Sequence, residues 1–288
     1  MTHAKNKTIP ALGSLFGVAM LVSANGTVST AQTLIPAQAF QVLQVDKPAA
    51  TGGTWTIEVK NTSQSVITAY GVALSCHYPD GTTKESGFTL DFGSLLAGRA
   101  GVLAEIEYLR SAGPKTGWSF SPGEDPTFRP GATRRDEFTP PSSVGGAAPD
   151  YVSAVPATVI MEGGRAAGDP DRLAVIFSVR EEEAEKRRLL IGDLRAVDSS
   201  ADPSATLEDR LKAAASAPLE RTPKAKLVPG QTRVLLDDPE QQQKWRREQL
   251  LLQRRQAGTA DHVGLKAAIA LYQAEAEVYS RLAAYARQ

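Results

Sequence analysis

Residues 55–78 read WTIEVKNTSQSVITAYGVALSCHY, with apolar side chains at every second position on both sides of the polar segment 62–65. This alternation is the period of half-buried β-strands. It predicts two strands, 55–61 and 66–78, which form either a hairpin or a pair that crosses from one sheet to another. One face of the second strand is small enough for a helix or a loop to pack on it, since it carries Ala69, Gly71 and Ala73.

Further strands are predicted on either side of this stretch. Alternating apolar residues indicate strands at 40–45, 88–92, 102–108 and 151–161, with turns at 79–82 and 95–98. Together they predict an antiparallel β-sandwich over residues 32–161. A long Pro/Gly-rich loop at 110–149 interrupts it. Because structureless loops of this length are uncommon in compact domains, we expect one short strand within the loop, near 134–138.

The first half of the opening stretch resembles a pattern found in exported bacterial immunoglobulin-like β-sandwich proteins of unassigned function. In that pattern one strand ends in Asn and the next opens with Ile-x-Ala-Tyr. Here it reads Val59-x-Asn61-x-Ser63 and then Ile67-x-Ala69-Tyr70. The resemblance covers residues 32–161 and implies an immunoglobulin-like fold. It transfers no catalytic residue, because the pattern is structural.

The first 31 residues are typical of a secretory signal peptide. Lys5 and Lys7 precede an uncharged, apolar or small stretch at 9–24, and small-residue cleavage motifs end at Ala24 and Ala31. We expect cleavage after Ala31, with Ala24 as the alternative, and therefore a secreted or periplasmic protein. An uncleaved anchor is the rival interpretation, but the run is shorter than the roughly 20 residues of a spanning helix. No transmembrane segment is expected after cleavage.

Composition argues against some classes of partner. The chain has 32 Lys+Arg and 32 Asp+Glu, so loss of Lys5 and Lys7 leaves 30 basic against 32 acidic residues. A near-neutral surface gives no reason to expect nucleic acid or an anionic membrane as partner. Cys76 is the single cysteine, so no internal disulfide can form. Its position on the apolar face of a strand favours a buried residue over a reactive or intermolecular thiol.

Helices are predicted beyond Gly163-Gly164. Asp169 is a suitable N-cap before Pro170, and a helix is expected from Pro170 to Val197, with a strand at 173–179 as the alternative. A short helix at 205–217 and a linker at 218–231 complete a region of helix and linker at 162–231. Two helices, 239–256 and from 259–261 towards 287, predict a helical hairpin over 232–288. The last helix carries an apolar stripe at helical spacing: Leu265, Ala268, Ile269, Tyr272, Ala276, Tyr279, Leu282 and Ala283.

No motif specifies catalysis, a cofactor or a metal. His77 and His262 are the histidines outside the signal peptide, and no Gly-x-Ser-x-Gly elbow is present. Cys76 and His77 are adjacent on a strand, so they point to opposite faces and cannot readily share an ion. The acidic run 181–185 is followed by basic residues, which is typical of a solvated helix face. We therefore expect no catalytic residue, no cofactor and no metal ligand.

Two groups of residues could bind a partner. Trp118, Phe120 and Phe128 lie in the Pro/Gly-rich loop, where they either contact a partner or anchor the loop to the core. A basic cluster on the 239–256 helix is either an anion- or membrane-binding patch or a solvated surface balanced by nearby acids: Lys244, Arg246, Arg247, Arg254 and Arg255.

The sequence thus predicts an α+β protein, an N-terminal sandwich followed by a C-terminal helical region. Because no chemistry is visible, the favoured function is an exported, non-enzymatic binding or scaffolding role in the bacterial envelope, with a protein or another envelope component as partner. The alternative is an envelope hydrolase that acts on saccharide or peptide through two carboxylates brought together by folding.

Overall fold

The chain folds into two antiparallel β-sheets and a set of α-helices, which confirms the α+β class. The computed structural model describes residues 35–48, 54–112, 127–143, 145–216, 239–258 and 262–284. The first sheet follows a short helix, α1 (Pro36–Ala39), and has the order β1-β2-β5: β1 (Phe40–Asp46), β2 (Trp55–Asn61) and β5 (Thr133–Phe138). The second sheet has the order β4-β3-β6-β7: β3 (Ile67–His77), β4 (Thr83–Asp91), β6 (Tyr151–Met161) and β7 (Ala166–Gly168).

The 55–78 stretch forms a crossing between the sheets rather than a hairpin. β2 pairs with β1 and β5, whereas β3 pairs with β4 and β6. The buried side chain of Asn61 organises the crossing, because its Nδ2 donates to the carbonyl oxygens of Ser65 at 2.9 Å and Phe128 at 2.7 Å. Its Oδ1 accepts from the backbone N–H of Ser63 at 2.9 Å.

The inner faces of the two sheets share one apolar core. Ile57 and Val59 from β2 meet Val72 and Cys76 from β3 in this core, and all four are buried. Tyr70 lies at the centre of an aromatic cluster, with its ring centroid 5.2–6.2 Å from those of Phe40, Phe92 and Phe128. The pattern predicted Cys76 to be buried, and the structure confirms it.

Residues predicted as a turn at 95–98 and a strand at 102–108 form a helix instead, α2 (Gly93–Ala112). Its buried residues, Gly93, Ala97 and Gly101, recur every four positions and face a second helix, α7 (Val263–Ala284). A Cβ on Gly101 would lie 2.8 Å from Cγ of Glu275, so glycine permits this close approach. Helix packing therefore outweighs the short alternation at 102–108, which periodicity alone cannot assign.

The helix expected after Asp169 is confirmed as α3 (Pro170–Asp198), so 173–179 is helical and not a strand. The Asp169 carboxylate caps it by accepting from the backbone N–H groups of Asp171 at 2.9 Å and Arg172 at 3.3 Å. Three further helices precede α7: α4 (Pro203–Ser216), α5 (Pro239–Leu252) and α6 (Arg254–Ala257). The predicted linker at 218–231 lies outside the described residues.

The helices pair differently from the predicted hairpin at 232–288. The main partners of α7 are α2 and α3, while α5 packs on α4 and α3. The apolar stripe predicted on α7 is buried along its whole length. Helix α5 does contact α7, since the ring of Trp245 packs on that of Tyr272 and the Tyr272 hydroxyl donates to Gln249 at 2.7 Å, but most of α7 lies against α2 and α3.

Helix α3 also covers part of the outer face of the second sheet. Ile176 and Phe177 pack on Ala69 and Ile160, which confirms that a helix docks on the small-residue face of β3. Further along this face, the Arg172 guanidinium fills the space above Gly87, where a Cβ would lie 2.6 Å from Nη2. The sheets and helices belong to one compact unit, Leu34–Gln288.

Candidate partner-binding surface

The outer face of α2, on the side away from Ala97 and Gly101, carries an apolar stripe. Leu95, Val102 and Leu109 recur every seven residues, and Ile106 lies four residues after Val102, so these side chains share one side of the helix. Leu103 lies beside them. The exposed fractions are 52% for Leu95, 41% for Leu103 and 40% for Leu109.

This concentration of exposed leucines sets α2 apart from the rest of the described chain. Three of the ten large apolar residues that are exposed lie on α2, and no other described element carries more than two. The outer side of a helix that only covers a core is normally polar. Contiguous exposed apolar surface is a mark of protein or membrane interaction sites. Arg99 lies within the stripe and Glu107 at its margin, which gives it the polar rim common in interfaces.

The three aromatic residues predicted to bind a partner do not belong to this stripe. Trp118 and Phe120 lie outside the described residues. Phe128 is completely buried, its ring centroid lies 5.7 Å from that of Tyr70, and its backbone exchanges hydrogen bonds with Ile67. Phe128 is therefore a core residue that anchors its segment to the sheets, which is the alternative that the sequence left open for it.

A dense cluster of charges and aromatic rings lies between α3, α5 and α7. Arg187 donates through Nε to Glu275 at 2.8 Å and also pairs with Glu183. Its guanidinium lies 4.8 Å from the ring centroid of Tyr279 and 5.1 Å from that of Trp245. Each charge in this group is matched inside the protein, so the cluster fixes α5 and α7 against α3 rather than presenting a charged surface.

One carboxyl near this cluster has an altered acidity. Burial raises the pKa of Glu105, which lies on α2 one turn beyond Gly101. The nearby phenol of Tyr272 has a pKa raised to about 12 by burial and by the charge of Glu275. A carboxyl that keeps its proton to a higher pH is suited to general-acid chemistry. The carboxylate of Glu275, which also lies near Tyr272, is held by Arg187 at 2.8 Å.

The described residues give little support to a serine nucleophile. His77 shares a sheet face with Ser75, but the Ser75 hydroxyl donates to the Glu85 carboxylate at 2.8 Å. The Nδ1 atom of His77 instead lies 3.1 Å from the Thr83 hydroxyl, and its ring stacks on Tyr151. The hydrogen bond between serine and histidine that activates a nucleophile is therefore not formed here.

The described part of the chain was compared with what a metal site, a ligand pocket or a membrane span requires. No three or more His, Cys, Asp and Glu side chains converge there to hold a metal ion. Two shallow grooves lie side by side between α3 and α7, and both are lined by Arg188 and Ser280. None of the helices described is at once long and apolar enough to cross a bilayer.

The strand-like alternation of residues 102–108 does not reveal the surface on α2. The signals that would have identified it are the four-residue spacing of Gly93, Ala97 and Gly101 and the seven-residue spacing of Leu95, Val102 and Leu109. The first predicts close helix packing and the second an apolar stripe on the opposite side.

Comparison with known proteins leaves the chain without an assigned family. No family model matches it, and no curated protein matches it. A 1.85 Å crystal structure of a hypothetical protein from Peptoclostridium difficile 630 aligns with 47% of this chain and 89% of its own. The two share 10% identity with a TM-score of 0.24, which is too low to support any conclusion about fold or function.

Proposed function

We propose that this chain is an exported, non-enzymatic binding or scaffolding protein of the bacterial envelope and that α2 is its partner-binding element. The observation that carries the proposal is the apolar stripe on the outer side of α2, with Leu95, Leu103 and Leu109 all exposed. A stripe of this kind fits an apolar groove or helix on a protein partner, because burial of the part of each leucine that is still exposed is worth about 1 kcal/mol.

The start of the sequence supports the proposed location in the envelope. The signal-like residues 1–31 favour export. We infer an immunoglobulin-like arrangement of the two sheets from their shared core and the crossing between β2 and β3. In this proposal the sheets form a rigid scaffold, and α2 follows directly after β4 and packs on α7.

The experiment compares the sedimentation of envelope complexes from the native host. The unaltered chain is expected in complexes much larger than the chain itself, whose full 288 residues amount to 30.6 kDa before cleavage. The variant Leu103→Gln/Leu109→Gln is expected to sediment as the free chain. Both substitutions lie on exposed positions, so the fold should persist, which thermal unfolding of the purified variant checks.

A matched control is Leu189→Gln, which removes an exposed leucine from α3 instead. It should leave sedimentation unchanged. The proposal fails if the α2 variant stays in large complexes, or if the control releases the chain equally well. The purified unaltered protein in the same gradient distinguishes self-association from binding to other envelope components.

The alternative function, an envelope hydrolase that acts on saccharide or peptide, is favoured by one observation, the raised pKa of the Glu105 carboxyl close to Tyr272. It predicts turnover of soluble glycoside or peptide substrates that Glu105→Gln abolishes while Glu107→Gln does not. The absence of turnover, or turnover that survives Glu105→Gln, would exclude Glu105 as the acid.

A further inference from the structure

Within the described residues, helix α5 packs on α3 and α4 mainly through one side. The ring of Trp245 lies over the guanidinium of Arg187, with 5.1 Å between them, and Arg246 Nε donates to the buried Asp193 at 2.7 Å. Five side chains make up this inner face: Gln242, Trp245, Arg246, Gln249 and Leu250. The opposite face of α5 is therefore turned away from the helices that hold it.

That outer face combines basic and apolar residues. Lys244, Arg247 and Leu251 follow one another at spacings of three and four, which places them on the same side of the helix. Leu252 lies seven residues after Trp245, so it is on another side of α5, but it is exposed at the helix end, and the exposed Arg255 follows it in α6. Leu251 is 42% exposed and Leu252 is 67% exposed, the highest value for any large apolar residue described.

Most cations of this face have no acidic partner among the described residues. Arg254 pairs with Glu208 on α4 at 2.5 Å. By contrast, Lys244, Arg247 and Arg255 form no ion pair in the described part of the chain. Glu248 is the one carboxylate among them, while Glu240 at the helix start is engaged in a contact of its own. The face therefore keeps an excess of positive charge around two exposed leucines.

We propose that this face, defined as Lys244, Arg247, Leu251, Leu252 and Arg255, docks on an anionic lipid surface. Peripheral helices bind membranes by inserting apolar side chains between lipids while basic residues contact the anionic headgroups. The near-neutral net charge of the chain does not oppose this, because charges beyond about 8 Å are screened at physiological ionic strength. The proposal uses a different helix from α2 and does not depend on the proposed function.

The test is co-sedimentation of the purified exported chain with vesicles. Vesicles of 30% phosphatidylglycerol in phosphatidylcholine should bind the chain, and pure phosphatidylcholine vesicles should bind it far more weakly. Each basic residue near such a surface contributes about 1 kcal/mol, so Arg247→Gln/Arg255→Gln should weaken binding about 25-fold. Leu252→Ser should also weaken it, and raising the salt from 0.1 M to 0.5 M should release the chain.

Two control variants remove the same chemistry elsewhere. Lys212→Gln takes one exposed positive charge from α4, and Leu189→Ser takes one exposed leucine from α3. Both should bind anionic vesicles like the unaltered chain. The proposal is overturned if the chain ignores anionic vesicles, if it binds neutral vesicles equally well, or if the controls lose as much binding as the α5–α6 variants.

Discussion

Arg180 on α3 is bound to Asp91 at the end of β4 by two hydrogen bonds, Nη2 to Oδ1 at 2.8 Å and Nε to Oδ2 at 3.1 Å. The Arg180 side chain is completely buried and also donates to the carbonyl oxygens of Thr68 and Leu282, each at 3.3 Å. Asp91 in turn accepts from the backbone N–H of Gly93 at the start of α2 at 2.9 Å. This ion pair therefore joins the second sheet to α2, α3 and α7.

Loss of this ion pair should destabilise the whole chain. Arg180→Met leaves Asp91 without its partner, and breaking a buried pair in this way typically lowers the free energy of unfolding by about 3–5 kcal/mol. Urea denaturation followed by circular dichroism measures the change. The matched control is Arg188→Met, which removes an arginine that is half exposed. This variant should lower the free energy of unfolding by about 1 kcal/mol or less. Equal losses in the two variants would contradict this role for Arg180.

The crossing between the sheets should depend on the Asn61 side chain. Asn61→Ala removes two hydrogen bonds to buried carbonyl oxygens and the acceptor for Ser63. We expect the free energy of unfolding to fall by about 2–4 kcal/mol, since buried groups left unpaired are costly. Thr62→Ala at the exposed neighbouring position is the control and should change it by about 0.5 kcal/mol or less. If Asn61→Ala lowers the free energy of unfolding by less than Thr62→Ala does, the backbone alone fixes the crossing.

Stability should depend on pH through Glu105. Burial raises the pKa of Glu105 in the folded protein above its ordinary value of 4.5, so the folded chain holds this proton more tightly than the unfolded chain. The stability linked to the proton is fully present below pH 4.5 and is lost as the pH rises through the folded-state pKa. Glu105→Gln should therefore unfold at higher urea concentration than the unaltered chain at pH 7, but not at pH 4.

The exposed neighbour Glu107 provides the comparison for that experiment. Glu107→Gln should show the same difference from the unaltered chain at both pH values. If Glu105→Gln behaves in this pH-independent way as well, burial does not perturb the Glu105 carboxyl.

Cys76 should be chemically inert in the folded protein. Its side chain is buried, and burial raises the pKa of the thiol, so little reactive thiolate forms near neutral pH. We expect its reaction with Ellman's reagent at pH 8 to be at least about 100-fold slower in buffer than in 6 M guanidinium chloride, because reagent must await local opening. Rapid reaction of the native protein, or a disulfide-linked dimer on a non-reducing gel, would refute this.

Much of the fold could be predicted from local patterns. The alternation of residues 55–61 and 151–161 gave both strands with the bounds that the structure shows, because half-buried strands have a distinctive period. Asp169-Pro170 located the start of α3 for a similarly local reason, a side chain that caps free N–H groups.

The rest depended on contacts between distant parts of the chain. Residues 102–108 alternate like a strand, yet Gly101 packs closely against Glu275 of α7, 174 residues further on, and no local signal reveals that partner. The candidate surface was missed for the same reason, since the exposed leucines share a face only when the segment is helical. Phe128 was assigned to binding because its sequence neighbours are polar, whereas its core partner Tyr70 lies elsewhere in the chain.

The most direct test of the account is site-specific photocrosslinking from the outer side of α2 in the native envelope. A photoreactive phenylalanine analogue is placed at Leu103, with Leu189 on α3 as the equally exposed control position. The account predicts discrete crosslinked species from Leu103 that are absent from Leu189 and disappear when Leu95 and Leu109 are changed to glutamine. Species that form equally from both positions, or none from Leu103, would contradict the claim that α2 binds a partner.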